Sequence, residues 1–498
     1  MTALGAHIGV VRGARIAGPG REFLPSDEPV DIHIDGGVIS DIAPTGALPT
    51  SGDVLEADGS WVVPGLWDNH VHTVQWALAA ERESLGEVSS ASEAAVRMAS
   101  VAALPDGRRV GSGFRDALWA DEPTLDLLDS RTGEVPTYLI NADVHSVWLN
   151  SAALRREGFT SPDGMLREED AFEISRRLNA ADPERGDRAV RLAGEQAAAR
   201  GVTGLVDFDM AWNADAWPRR IAAGFAAHRV EFAIYPFDLE RAVAAGLRTG
   251  DLRQTADATV DGAGLVRVGS LKVITDGSLG TRTAACSYPY AGDAGNFGVL
   301  NVEPDELVDL LIRATGAGLS AAVHAIGDRA TTTALDAFTL SGASGTIEHA
   351  QLVRHADLAR FARLGVIASV QPQHALDDRD LVDGLWAEQT AIGYPLAALR
   401  NAGVELRFGS DAPVAPLDPW QAIAAAVART DGDRAPWHPE ESLSVDDALR
   451  ASVRSSLRPG EPADIVLCSQ DPQAAPADAL RQMPVFATVL AGRLTHLS

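Results

Sequence analysis

Lysine is all but missing from these 498 residues: of 42 basic side chains, 41 are arginine and Lys272 alone is lysine. Cysteine is nearly as scarce, with Cys286 and Cys468 only. That excludes a disulfide framework and any zinc site built from several thiolates, and fits a reducing compartment. Positive charge is short overall. The 69 acids against 42 bases leave a net charge of −27, which repels nucleic acids and anionic lipid surfaces, so neither is expected as a partner. No apolar run approaches the roughly 18 residues of a membrane span. The start MTALGAHIGVVRGARIAGPGREF has no apolar stretch of signal-peptide length, and the expected location is the cytoplasm. What is present, 46% hydrophobic residues with 22% charged, is the composition of a folded globular chain.

The missing lysines give Lys272 a meaning. A drift toward arginine this strong replaces lysine wherever a positive charge or a long stem is enough. Arginine cannot lose its proton in a protein, whereas a buried lysine can act as a neutral amine. Chance survival of one surface lysine is the bland explanation, and amine chemistry at Lys272 is the sharper one.

Apolar strand-like runs set the organisation. Both ends of the chain read as short strands and turns: HIGVVRGARI and VDIHIDGGVISDIAP at the start, with Val30, Ile32 and Ile34 alternating before a Gly36-Gly37 turn, and ADIVLCSQD and VFATVLAGRLTH at the end. Residues 1–62 and 455–498 are therefore expected to pair into one accessory β-sandwich. Between them eight apolar runs follow in order: WVVPGLWDNHVH, GVTGLVDFDM, VEFAIYPF, LVRVGSLKVITDG, LSAAVHAIGD, GTIEHAQLV, GVIASVQPQH and GVELRFGSDAP. Helix-like segments such as EPDELVDLLIRATGAG, RATTTALDAF and DLARFARLG fill the later gaps. Near-continuous apolar strands alternating with helices predict an α/β fold, a (β/α)8 TIM barrel over residues 63–454. A doubly wound open sheet is the alternative, but no GxGxxG follows the first strand to support a dinucleotide site. About 125 residues separate the first two strands, too many for a loop, so residues of about 76–200 are expected to form a lid-like subdomain over the barrel mouth.

The chemistry-bearing residues fall at strand ends. In Asp68-Asn69-His70-Val71-His72, the period of two puts His70 and His72 on one face, side by side. Lys272 lies in the fourth run, His324 ends the fifth, His349 the sixth and Asp411 the eighth. Barrel active sites are assembled at the C-terminal ends of strands, and nitrogen with carboxylate donors suits zinc or a similar divalent ion. Packing these polar groups unpaired in a barrel core would cost about 1–3 kcal/mol each, which disfavours a purely structural role.

The combination of His70-x-His72 after Pro64-Gly65, the lysine of LKVITDGSLGTRTAA, HAIGDRA, IEHAQ and GSDAP resembles the metal-dependent amidohydrolase superfamily, and within it the branch of N-substituted formamide deformylases. DVHSVWLNSAAL, PDGMLRE, SVQPQH and EPADIVL extend the resemblance over nearly the whole chain, although ALRASVRSSLRPGEPADIVL is shorter than that branch's usual connection to its accessory sheet. The resemblance implies that His70, His72 and Asp411 hold one divalent ion. It also implies that His324 and His349 hold a second ion or orient substrate, and that Lys272, carboxylated by CO2, bridges the two ions in binuclear members. Zinc is the expected metal, one or two ions per chain. Asp411 is the expected general base toward a small-molecule amide.

Further candidates for substrate binding are His145, which would close the pocket from the insert or be a structural histidine; Asp276 and Arg282, as an ion pair or with Arg282 on a substrate carboxylate; Trp76 in an aryl pocket; and His374 after the seventh run. The leading expectation is a hydrolase of non-peptide C–N bonds. A heterocycle deaminase using the same metal site is the runner-up, followed by a non-catalytic metabolite-binding regulator. An aldo-keto barrel lacks its tyrosine near Lys272. A homodimer is the base-rate expectation.

Overall fold

The structure, a computed structural model, describes residues 3–23, 28–180, 182–253 and 264–498. The eight apolar runs are its parallel strands: β1 (Leu66–Val71), β2 (Val202–Asp207), β3 (Arg229–Ile234), β4 (Val266–Ile274), β5 (Ala321–Ala325), β6 (Gly345–His349), β7 (Ile367–Val370) and β8 (Leu406–Phe408), each paired to the next in chain order. The ring closes just past β8, where Val71 bridges Ala412 in parallel, His72 N–H donates to the Ala412 carbonyl (2.9 Å) and Asp411 N–H to the His70 carbonyl (2.7 Å). Every residue of β1, β2 and β5 is buried. These strands have helices outside and side chains within, which is why they do not alternate in polarity.

The outer helices follow ordinary local rules. The helix Pro304–Ala317 starts with proline in its first turn and acids at Asp305 and Glu306, buries Leu307, Leu310, Leu311 and Ala314, and ends on Gly318 at φ 83°. Proline costs nothing where no N–H is needed, the acids oppose the helix dipole, and the spacing gives one apolar face toward the strands.

Between β1 and β2 the chain builds a separate five-stranded sheet in the order Met165–Arg167, Ser146–Leu149, Thr137–Asn141, Arg109–Phe114, Glu83–Ser84. Leu85, Met98, Phe114 and Trp148 pack in one apolar cluster of this unit, and Val110, Tyr138, Ile140 and Ile174 in another. The insert is shorter than the expected span of about 76–200. The helix Pro183–Ala198 places Ala189, Val190 and Ala193 in the barrel core with Trp217 and Ile221, so it belongs to the barrel's outer layer.

The two chain ends form one eight-stranded sheet. Trp61–Pro64 pairs antiparallel with Ile465–Cys468 and parallel with the end of Ile8–Ile16, and the two terminal segments share one apolar core of Val11, Ile16, Ile32, Val62, Ile465 and Val489. The short connection before Ile465 therefore does not prevent the sheet from forming. The expected alternation of Val30, Ile32 and Ile34 is not kept, since Asp31 and His33 between them are also buried, and the Asp31 carboxylate accepts from the Gly13 and Gly46 N–H groups, both at 2.9 Å. Gly36 and Gly37 have φ of 56° and 80°, the two positive values that a tight hairpin turn needs.

The barrel interior leaves no room at Gly204 of β2. A Cβ there would lie 2.2 Å from the Trp67 ring. Gly204→Ala is expected to cost about 1–3 kcal/mol through overpacking, read as a lower midpoint in thermal or urea unfolding. An unchanged midpoint would show that Trp67 moves aside freely.

Candidate metal centre

The seam that closes the barrel also builds the site. Asp68 and Asn69 are spent on it: the Asp68 carboxylate accepts from Ser410 N–H (2.9 Å) and His70 N–H (3.2 Å), and Asn69 Nδ2 donates to the Phe408 carbonyl (2.8 Å). Gly409 permits this approach, since a Cβ there would meet the His70 backbone nitrogen and Cβ at 2.7 Å. Asp411 then takes the left-handed region at φ 56°. Its Oδ1 lies 3.3 Å from His72 Nε2 and 3.6 Å from His70 Nε2, and no hydrogen-bond donor serves that buried oxygen.

This donor set fits a metal ion. Two imidazole nitrogens and a carboxylate oxygen within 4.8 Å of one another are a transition-metal ligand set, and ligands about 2.0–2.1 Å from tetrahedral zinc stand about 3.3 Å apart. His70 Nδ1 pairs with Glu348 Oε2 (2.7 Å), and His349 Nδ1 with Gln371 Oε1 (2.8 Å). Those partners fix each ring through Nδ1, as oriented ligand histidines require, and His70 Nε2 meets Lys272 Nζ at 3.5 Å. Burial first, and then neighbouring positive groups including Lys272, hold His70, His324 and His349 well below the usual histidine range. Neutral imidazole is the ligating form.

Lys272 on β4 is 1% exposed, with Nζ 3.5 Å from His70 Nε2 and 4.4 Å from the Phe208 ring centre. No carboxylate among the described residues comes within 4.0 Å of it. Burial brings its pKa down to about 8, which makes the neutral amine accessible near physiological pH.

The structure brings the six expected groups to one mouth, with some changes of role. A second group of donors within 4.8 Å consists of His349, His374 and Asp411. His374 thus stands beside His349 where His324 was expected, and its Nε2 has no hydrogen-bond partner. His324 Nε2 faces Asp276 Oδ1 and the Gly277 carbonyl, each at 3.4 Å, while its ring lies 4.5 Å from that of His349. Asp276 does not pair with Arg282. Its fully buried carboxylate accepts from the N–H groups of Ala285, Ile326 and Gly327, tying the loops after β4 and β5, whereas Arg282 is exposed with φ 58°. Trp76 is not in the pocket either, because it packs outside the barrel against the cluster of Val71, Ala197 and Val202. Trp67, Trp119 and Trp148 likewise fill apolar clusters. Glu348 was missed as a site residue, although an acid inside an apolar strand next to His349 signals a buried partner.

A cavity of about 60 Å³ adjoins Asp411, walled by Asp143 and His145 from the insert, Ser278 and Leu279 after β4, and His324, His349, His374 and Asp411. His145 is therefore a lid residue, with its ring 5.6 Å from that of His324. Burial opposes charge on it, but Glu168, whose Oε2 sits 3.0 Å from Nδ1, outweighs burial and raises its pKa to about 9.

An eight-stranded parallel barrel with histidines, a lysine and an aspartate converging on one cavity defines the class of metal-dependent hydrolase barrels. Residues 53–496 match the sequence model of the amidohydrolase family, and the chain belongs to that family. It is 29% identical over 462 residues to Protein LONG AFTER FAR-RED 3 of Arabidopsis thaliana, covering 83% of this chain and 79% of that one. It is 26% identical over 515 residues to N-substituted formamide deformylase of Arthrobacter pascens, covering 91% of each. Its fold is that of an uncharacterized metal-dependent hydrolase from Pyrococcus horikoshii OT3, with TM-score 0.77, 24% identity and coverage of 94% and 99%.

Two outcomes are expected. Gly409→Ala pushes against His70 and should lower bound metal per chain, measured by plasma mass spectrometry, while the far-ultraviolet circular dichroism is kept. Because the folded-state pKa of His145 lies above its unfolded value, the stability it lends is complete below about pH 6.5. That stability is lost as pH rises through about 9. The melting difference between wild type and His145→Gln should thus be present at pH 6 and shrink above pH 9.

Proposed function

We propose that this protein hydrolyses a non-peptide carbon–nitrogen bond in a small amide, with N-substituted formamides as the first class to test. The observation that carries the reading is the buried Asp411 oxygen, which no donor serves among the described residues, 3.3 Å from His72 Nε2 and 3.6 Å from His70 Nε2. A cavity of about 60 Å³ adjoins it and gives a small amide a place beside that oxygen. Similarity to the Arthrobacter formamide deformylase supports the same class.

A divalent ion, zinc by the donor types, would lower the pKa of a water toward neutrality and polarise an amide carbonyl. His70, His72 and Asp411 would hold it, and His349 with His374 would offer donors on the other side of Asp411. The Asp411 carboxylate would take the water proton as the new C–O bond forms and deliver it to the leaving nitrogen as the C–N bond breaks. His145, charged through Glu168, would close the pocket with positive charge over the reacting carbonyl. Lys272 would supply a carbamate: its neutral Nζ forms a C–N bond to CO2 and releases a proton, turning a buried cation into an anionic ligand.

Formamides and N-acyl amines should release acid and amine in the presence of zinc, and Asp411→Asn should lower kcat by about a thousandfold or more with the fold intact. Ammonia release from heterocycles without amide cleavage would overturn the reading. Metal analysis near two ions per chain, with a carbon-13 carbamate signal from labelled bicarbonate that Lys272→Arg abolishes, would support the bridge. One ion and no such signal would remove it.

A further inference from the structure

A second cavity, about 400 Å³, lies beside the metal centre, and the reading above leaves it unused. His72, one of the candidate metal ligands, forms part of its wall. The rest of the lining comes from the helix Thr73–Ala79 after β1, Val144 and the helix Glu169–Ala180 of the insert, the helix Pro183–Ala198 and the segment after β2. Phe172, Met210 and Trp212 give it apolar surface, and Phe172 also touches the His145 ring edge-on at 5.1 Å.

Two buried polar side chains interrupt this apolar wall. Arg220, 5% exposed, donates through Nε to Asp187 Oδ1 (2.9 Å) and lies 4.7 Å over the Trp217 ring, while its Nη1 has no acceptor. Gln75, 6% exposed, keeps Nε2 without an acceptor as well. Two carboxylates of the same wall are engaged: Asp187 accepts from Arg219 and Arg220, and Asp209 Oδ2 takes the Val74 N–H. What remains is a surplus of donors. Buried donors without partners cost free energy that a ligand carrying acceptors can recover, and a planar guanidinium is the group best shaped for a carboxylate.

We propose that this cavity is a tail chamber for substrates whose amide bears an apolar chain ending in a carboxylate. The chain lies along Phe172 and Trp212, the carboxylate accepts from Arg220 and Gln75, and the amide reaches the metal centre past His72. The substrate assignment rests on the hydrolase reading, whereas the binding site does not.

Calorimetric titration of the metal-loaded enzyme with hexanoate, and with hexan-1-ol as neutral control, tests it. Hexanoate should bind wild type and Asp411→Asn alike, and Arg220→Met should weaken it about tenfold or more, as loss of a charge-assisted pair implies. Gln75→Leu, on a different element, should weaken it too and guards against misfolding of the Arg220 variant. Affinity that survives both changes, or that is lost in Asp411→Asn instead, would overturn the chamber. In turnover, the kcat/KM preference for N-formyl-6-aminohexanoate over N-formylhexylamine should fall in Arg220→Met. If neither formamide turns over while Arg220-dependent hexanoate binding persists, the hydrolase reading fails and the chamber stands as a ligand site.

Discussion

Everything at the mouth of this barrel depends on how closely its first and last strands approach. Asp411 N–H reaches the His70 carbonyl and His72 N–H the Ala412 carbonyl, and Asp68 clamps Ser410 from the other side of the chain's length. These bonds are possible only because Gly409 presents no Cβ to His70. A close-packed interior has no slack to absorb even one methyl group at such a contact. The seam is thus a structural closure and, through Asp411, the source of the third candidate ligand.

The electrostatics follow from burial. One lysine, several histidines and several carboxylates are removed from water within a few ångströms, and each needs a partner or a change of protonation. Glu348 and Gln371 satisfy the far sides of His70 and His349. On its near side His70 Nε2 faces Lys272 Nζ at 3.5 Å and Asp411 Oδ1 at 3.6 Å. Lys272 has no carboxylate within 4.0 Å among the described residues, and burial eases its deprotonation. An arginine there would stay charged, so of the two basic residues only lysine can offer a neutral amine at this buried position.

The insert sheet serves the site from above. Its His145, charged beside Glu168, and its Asp143, which accepts from the Ser278 hydroxyl at 2.6 Å, connect the lid to the loop after β4. The helix Glu169–Ala180 of the same insert walls the larger cavity. A rigid ring therefore fixes the reacting groups, while a separately packed unit shapes what can reach them.

By itself the sequence determined the strands, the barrel and the meeting place of the six principal groups. Apolar runs buried on both faces are legible without a partner, and a period of two puts His70 and His72 on one face. The scarcity of lysine marked Lys272 in the same local way. Only the tertiary structure decided that His374 stands beside Asp411 with His349, that Asp276 binds backbone N–H groups instead of Arg282, and that Trp76 faces outward into a core. These outcomes turn on loops after strands and on left-handed residues such as His349 and Asp411. No periodicity encodes those conformations, because they are imposed by packing against residues hundreds of positions away.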